Sequence, residues 1–103
     1  LPWSHSHYDS WSFVSEEPLG RDAVERFLAV LSSDVLRVKG FVRLADDPDH
    51  SYLLQVVGRR STFTPHRTIP GERLQTRLVV IGLPGSIDVR RHQDTLRGTL
   101  KPR

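Results

Sequence analysis

The sequence predicts an α+β two-layer sandwich, an antiparallel sheet of about four strands with two helices on one face, in the order β-α-β-β-β-α. Three observations lead to it. Four stretches alternate apolar and polar residues or run β-branched and apolar, two others repeat apolar residues at helical spacing, and turn-forming residues separate them. Such elements bury their apolar sides best when both helices cover the same face of one sheet, leaving the other face open.

The elements are justified in chain order. From His7 to Ser15, Trp11 and Phe13 alternate with Ser10 and Ser12, as in a half-buried strand. From Arg21 to Leu31, Val24, Phe27, Leu28 and Leu31 fall at i, i+3, i+4 and i+7 opposite Asp22, Glu25 and Arg26, which predicts an amphipathic helix ending near Ser32 to Asp34. Val35 to Ala45 alternates again. Leu36, Val38, Val42 and Leu44 share one face, and Arg37, Lys39, Phe41 and Arg43 share the other. The run Ala45-Asp46-Asp47-Pro48-Asp49-His50 has turn chemistry and predicts a hairpin.

Ser51 to Phe63 is expected as the third strand, with Gly58 at a bulge or close approach. After a loop from Pro65 to Glu72, the apolar run Leu78-Val79-Val80-Ile81 suits a central strand over Gln75 to Leu83. Past Pro84-Gly85, Ser86 or Asp88 caps a last helix that aligns Val89, His92 or Gln93, Leu96 and Leu100. Lys101 and Arg103 complement the negative end of that helix.

A length of 103 residues suits one domain with one modest core. The absence of cysteine excludes disulfides, thiolate nucleophiles and Cys-based metal sites, and fits a reducing cytoplasm. No apolar run approaches the roughly 20 residues that cross a bilayer, so no membrane partner is expected. The chain starts at Leu1 without Met, which leads us to expect a piece of a longer protein. Charge is uneven. Residues 1–50 hold five Lys/Arg against nine Asp/Glu, net −4, whereas residues 51–103 hold ten against three, net +7. Interleaved in one sheet, the halves neutralise each other; gathered on one surface, the cations suit an anionic partner.

Three segments, in order, carry a resemblance. Leu36-Arg37-Val38-Lys39-Gly40-Phe41-Val42-Arg43-Leu44, then Gln55-Val56-Val57-Gly58, then Thr76-Arg77-Leu78-Val79-Val80-Ile81-Gly82 are similar to the blocks of the CobW C-terminal domain family. The similarity covers nearly the whole chain, read as one domain over residues 1–103. Two positions depart from the family pattern, with Arg43 and the Phe63-Thr64-Pro65-His66 stretch standing about where members often carry tryptophan. The resemblance implies a non-catalytic regulatory or partner-recognition domain of a GTP-dependent zinc or cobalt chaperone of the cobalamin-biosynthesis type. Its implied partners are an N-terminal GTPase domain of the same parent and a metalloprotein client. This chain holds no Gly-x-x-x-x-Gly-Lys-Ser/Thr loop, Walker-type Asp or Cys-x-Cys-Cys motif, so it is expected to bind no cofactor and catalyse nothing; GTP and zinc or cobalt belong to the parent, a GTP hydrolase.

Two constellations remain. His5 and His7, at i and i+2 with Asp9 following, chelate a divalent cation if the segment is extended, although two imidazoles supply only half a tetrahedral zinc shell. The resemblance implies that residues 1–8 are a remnant of a His-containing interdomain linker; the plain alternative is a solvated terminus. Arg37, Lys39, Phe41 and Arg43, with Arg59 or Arg77 from neighbouring strands, form the candidate interface. A small basic nucleic-acid-binding domain is the alternative, since Lys39-Gly40-Phe41-Val42 overlaps part of an RNA-recognition signature whose second aromatic is absent here. His50, His66 and His92 stand far apart with no nucleophile motif, and Glu16-Glu17 and Asp46-Asp47 read as solvated charges.

Overall fold

The computed structural model describes residues 7–98. Seven elements follow one another: β1 (Asp9–Ser15), α1 (Arg21–Ala29), β2 (Val35–Leu44), β3 (Asp47–Val57), β4 (Arg60–His66), β5 (Thr76–Gly82) and α2 (Val89–Arg97). The sheet is antiparallel and has five strands in the order β1-β5-β2-β3-β4, one more than the sequence predicts. The extra strand arises at Gly58. Rather than forming a bulge inside one long strand, Gly58 takes φ 60° and turns the chain with Arg59, so that Val57 pairs with Arg60. A positive φ at the first of two central residues is the type II′ hairpin pattern, for which glycine is favoured.

β5 enters the sheet between β1 and β2, pairing with both. Consequently β1, α1 and β2 form a split βαβ unit whose slot is filled by a strand from much later in the chain. Its burial alternates, with Thr76, Leu78 and Val80 inward and Arg77 and Val79 outward. The apolar run of this strand thus serves two faces.

The core lies between the sheet and the helices. Phe13, Val24, Phe27, Val38, Val42, Leu44, Leu54, Leu78, Val80 and Leu96 are buried, and Leu19 joins them through a backbone bridge in which its N–H donates to the Arg43 carbonyl and its own carbonyl accepts from Ala45. Burying such side chains stabilises by about 1.5–3 kcal/mol each. The predicted inward position of Leu36 is corrected: a register shift between Val35 and Arg37 turns Val35 inward and leaves Leu36 38% exposed. One irregular residue exchanges the faces of its neighbours.

α1 stops at Ala29, with Leu31 beyond it still packed on the core. Its first residue clamps the β2–β3 turn, where Arg21 Nε and Nη2 donate to Asp46 Oδ2 and Oδ1 at 2.9 and 3.2 Å and the guanidinium lies 5.5 Å from the Tyr52 ring centre. The adjacent Asp47 accepts from Tyr52 Oη at 2.8 Å and meets His50 Nδ1 at 2.7 Å. Asp46 and Asp47 are therefore bonding partners rather than merely solvated charges, and the turn narrows to Ala45-Asp46 because residues 47–50 already belong to β3.

α2 is capped by Asp88, whose Oδ1 accepts from the Arg91 amide at 3.2 Å, and ends on Gly98 at φ 72°. His92, Thr95 and Leu96 face inward. Val89, expected on that face, is 41% exposed, because as the first residue it lies at the end of the helix rather than over the sheet. Leu100, Lys101 and Arg103 lie outside the described residues.

Candidate interface on the open sheet face

Both helices cover one side of the sheet, and the pairing registers define what the other presents. Three rows cross it: Ser10, Ile81, Arg37, Val57 and Arg60; then Ser12, Val79, Lys39, Gln55 and Thr62; then Val14, Arg77, Phe41, Leu53 and Thr64. No residue in these rows is acidic. Four are cationic and six are apolar, and Phe41 is 39% exposed. Period-2 alternation in β2 is what sends Arg37, Lys39 and Phe41 out while Val38 and Val42 go in.

The predicted interface residues are thus brought together in part. Arg37, Lys39, Phe41 and Arg77 lie in the three rows. Arg43 shares their face but is half-buried, its Nε donating to the Pro48 carbonyl at 2.8 Å and its Nη1 to the Glu16 carbonyl at 3.3 Å, while its amide donates to Thr76 Oγ1 at 3.1 Å. It therefore ties the β2–β3 hairpin to the end of β1. Arg59 sits in the β3–β4 turn, and Arg60 takes the place in the row. Arg60 is missed by the sequence reading because Gly58 was expected to bulge; counting alternation outward from a turn at Gly58 would have found it.

Beside the third row is a cavity of about 170 Å³ lined by Phe41, Ser51, His66 and Arg77 together with Glu72, Leu74 and neighbours in the β4–β5 connection. The rings of Phe41 and His66 lean together, centroids 4.7 Å apart. A polar relay holds the connection against β1. Arg73 donates to Glu16 Oε1 through Nε, at 3.0 Å, and through Nη2, while the Gln75 amide, oriented to satisfy both neighbours, donates to Glu16 Oε2 and accepts from Arg77 Nη2, each at 3.1 Å. Ser51, His66, Gln75 and Arg73 carry no local sequence signal for this site, because the pocket forms only where β4 and the crossover meet.

The other candidate residues stay apart. A larger cleft of about 650 Å³ near the start of α1 contains Glu16, Glu17 and Asp22, of which Asp22 is paired with Arg26 at 2.8 Å. His50 is held by Asp47, which raises its pKa, and Asp46 and Asp47 titrate below their ordinary range beside Arg21 and His50 respectively. His92 is buried between Trp11 and Phe27. Among the described residues no three His, Asp or Glu side chains group as metal ligands. Of the predicted metal pair, His7 is exposed and His5 lies outside the described residues. Among the described residues no helix is long and apolar enough to cross a membrane.

The fold is an α+β module in which both helices cover one side of a five-stranded antiparallel sheet. Residues 8–100 match the cobalamin synthesis protein cobW C-terminal domain, and the chain belongs to that family. Among solved structures it is similar to the Zn(II)-bound YjiA GTPase from E. coli, at 23% identity and a TM-score of 0.77 over 92% of this chain. A Zn(II)-bound triple mutant of YjiA GTPase gives 23% identity and a TM-score of 0.76, also over 92% of this chain. The chain spans 30% of the length of each. No curated protein matches it.

Proposed function

We propose that this chain is the non-catalytic, regulatory or partner-recognition domain of a CobW-like GTP-dependent metal chaperone, and that it engages partners through its open sheet face. Family membership supports the parent assignment, as does a chain spanning less than a third of a structurally similar GTPase. The observation that carries the recognition role is the open face itself, where Arg37, Lys39, Arg60 and Arg77 surround apolar side chains with no carboxylate in the same rows. Exposed apolar area rimmed by charge marks interaction surfaces. In this reading the GTP and the zinc or cobalt are handled by the preceding GTPase domain, in a cytoplasmic parent, and the client is a metalloprotein.

The test uses the full-length parent. Arg37→Glu combined with Lys39→Glu is expected to lower zinc delivery to an apo-metalloprotein acceptor while GTP hydrolysis and melting temperature hold. Unchanged delivery would sink the recognition role, and lost hydrolysis would assign the face to the GTPase domain instead.

The exposed Phe41 among cations also favours a second reading, binding of single-stranded nucleic acid. It is the lone aromatic in the three rows and leans on His66, which leaves a poor stacking platform. RNA affinity that is tight and falls steeply with salt would support this alternative.

A further inference from the structure

We propose that the cavity between Phe41, Ser51, His66 and Arg77 is an anchor pocket for one glutamate-type side chain on an acidic, amphipathic segment of a separate polypeptide. The inference rests on the reading of the sheet face as a recognition surface and adds what that face selects. Size comes first. A volume of about 170 Å³ is below the roughly 300–1,000 Å³ of small-molecule sites and suits a single side chain.

Chemistry narrows the choice. Phe41 and Leu74 offer an apolar wall for an aliphatic stem, while Arg77, the Ser51 hydroxyl and the His66 ring supply hydrogen-bonding groups. Arg77 is held by Gln75 through one of its five donors, so the guanidinium is positioned yet retains donors for a carboxylate. Glu72 also lines the cavity, with Oε1 accepting from the Ile69 amide at 3.0 Å, but the lining carries two arginines, Arg73 and Arg77, against this one carboxylate, and Glu16 is occupied by Arg73 and Gln75. Next to the pocket, the rows carrying Lys39, Arg37 and Arg60 extend a positive and apolar surface, complementary to a segment in which carboxylates alternate with aliphatic residues.

The segment is taken to be a separate polypeptide, and the point where the chain enters the sheet is compatible with that. The residues preceding β1 join the sheet at Asp9, which pairs with Gly82, whereas the pocket adjoins the Val14–Arg77 pair at the other end of β1. Five residues of extended strand separate the two ends by about 17 Å. A preceding domain attached at Asp9 thus joins the sheet at the end away from this pocket.

The experiment is fluorescence anisotropy of the 103-residue chain with a labelled amphipathic peptide of Glu, Leu and Ala, and with its Gln-for-Glu counterpart. Arg77→Gln and Phe41→Ala are each expected to weaken the Glu peptide by about tenfold, whereas Lys39→Gln, one row away, weakens it by about twofold. Melting temperatures of all three variants check the fold, and Phe41→Ala leaves the Arg77–Gln75–Glu16 relay in place. Equal losses in all three variants would overturn the pocket while leaving the recognition face standing. Equal affinity for the Gln peptide would overturn the carboxylate chemistry. Tight single-stranded RNA binding without peptide binding would overturn both the pocket and the protein-recognition reading.

Discussion

The imidazole of His92 lies nearly parallel to the indole of Trp11, 6.2 Å between centroids and 27° between planes, and the Phe27 ring meets it edge-on at 5.2 Å. These contacts bring α1, α2 and β1 together around one side chain that is 2% exposed, and they leave its Nδ1 buried with no hydrogen-bond partner among the described residues. Loss of water is the main influence on this ring and lowers its pKa from the usual 6.5; Asp88 acts in the opposite direction and Arg91 in the same one.

The sign of the pH dependence follows. As pH falls through 6.5 the unfolded chain takes up a proton on His92 before the folded chain does, so stability declines from there down to the depressed folded value. Above 6.5 the residue contributes no slope. Melting temperatures between about pH 8 and 5 are expected to fall less steeply on the acid side for His92→Leu than for the wild type. Parallel curves would show that the ring reaches water before it charges.

His50 works the other way. Hydrogen bonding to Asp47 raises its pKa, so this pair stabilises fully below 6.5 and its contribution is lost as pH rises through the raised value. Both partners meet solvent, and the effect is correspondingly small. An NMR titration should place the His50 midpoint above that of an unstructured peptide, and Asp47→Asn should return it to the ordinary range.

Gly40 stands inward between Leu78 and Leu54, where a side chain would meet the backbone of β5 rather than a helix. A β-carbon there collides with the Arg77 carbonyl oxygen and comes within 2.8 Å of the Leu78 α-carbon. Main-chain atoms in the middle of a paired ladder cannot swing aside. Gly40→Val is expected to destabilise by about 1–3 kcal/mol or more, read as a lower denaturant midpoint. An unchanged midpoint would mean that β2 and β5 separate there at little cost.

For zinc, the prediction rests on the terminal imidazoles. Isothermal calorimetry should detect weak binding by the wild type, lost in the double variant His5→Ala, His7→Ala and weakened as pH drops and the imidazoles protonate. Equal heats from both proteins would move the site elsewhere. Among the described residues His50, His66 and His92 belong to no group of three metal ligands, so such a site would rest on fewer protein ligands, as in the His50–Asp47 pair.

Much of the fold is written locally. The spacing of Val24 and Phe27, the alternation of Val38 and Val42 against Arg37, Lys39 and Phe41, and the Asp88 cap each depend on neighbours within a few residues, so periodicity alone determines the element and its buried side. The family blocks sit on the same local patterns. What tertiary structure decided is where separate segments meet. Gly58 reads as a bulge or close approach inside one strand until β4 folds back on β3, and Val35 replaces Leu36 inside only because β2 shifts register on β5. The place of β5 between β1 and β2, the burial of His92 under Trp11, and the pocket of Phe41, Ser51, His66 and Arg77 all join residues far apart in the chain. Such contacts form only when the gain from packing exceeds the entropy of closing the loops between them, a balance of the whole molecule that no stretch of sequence contains.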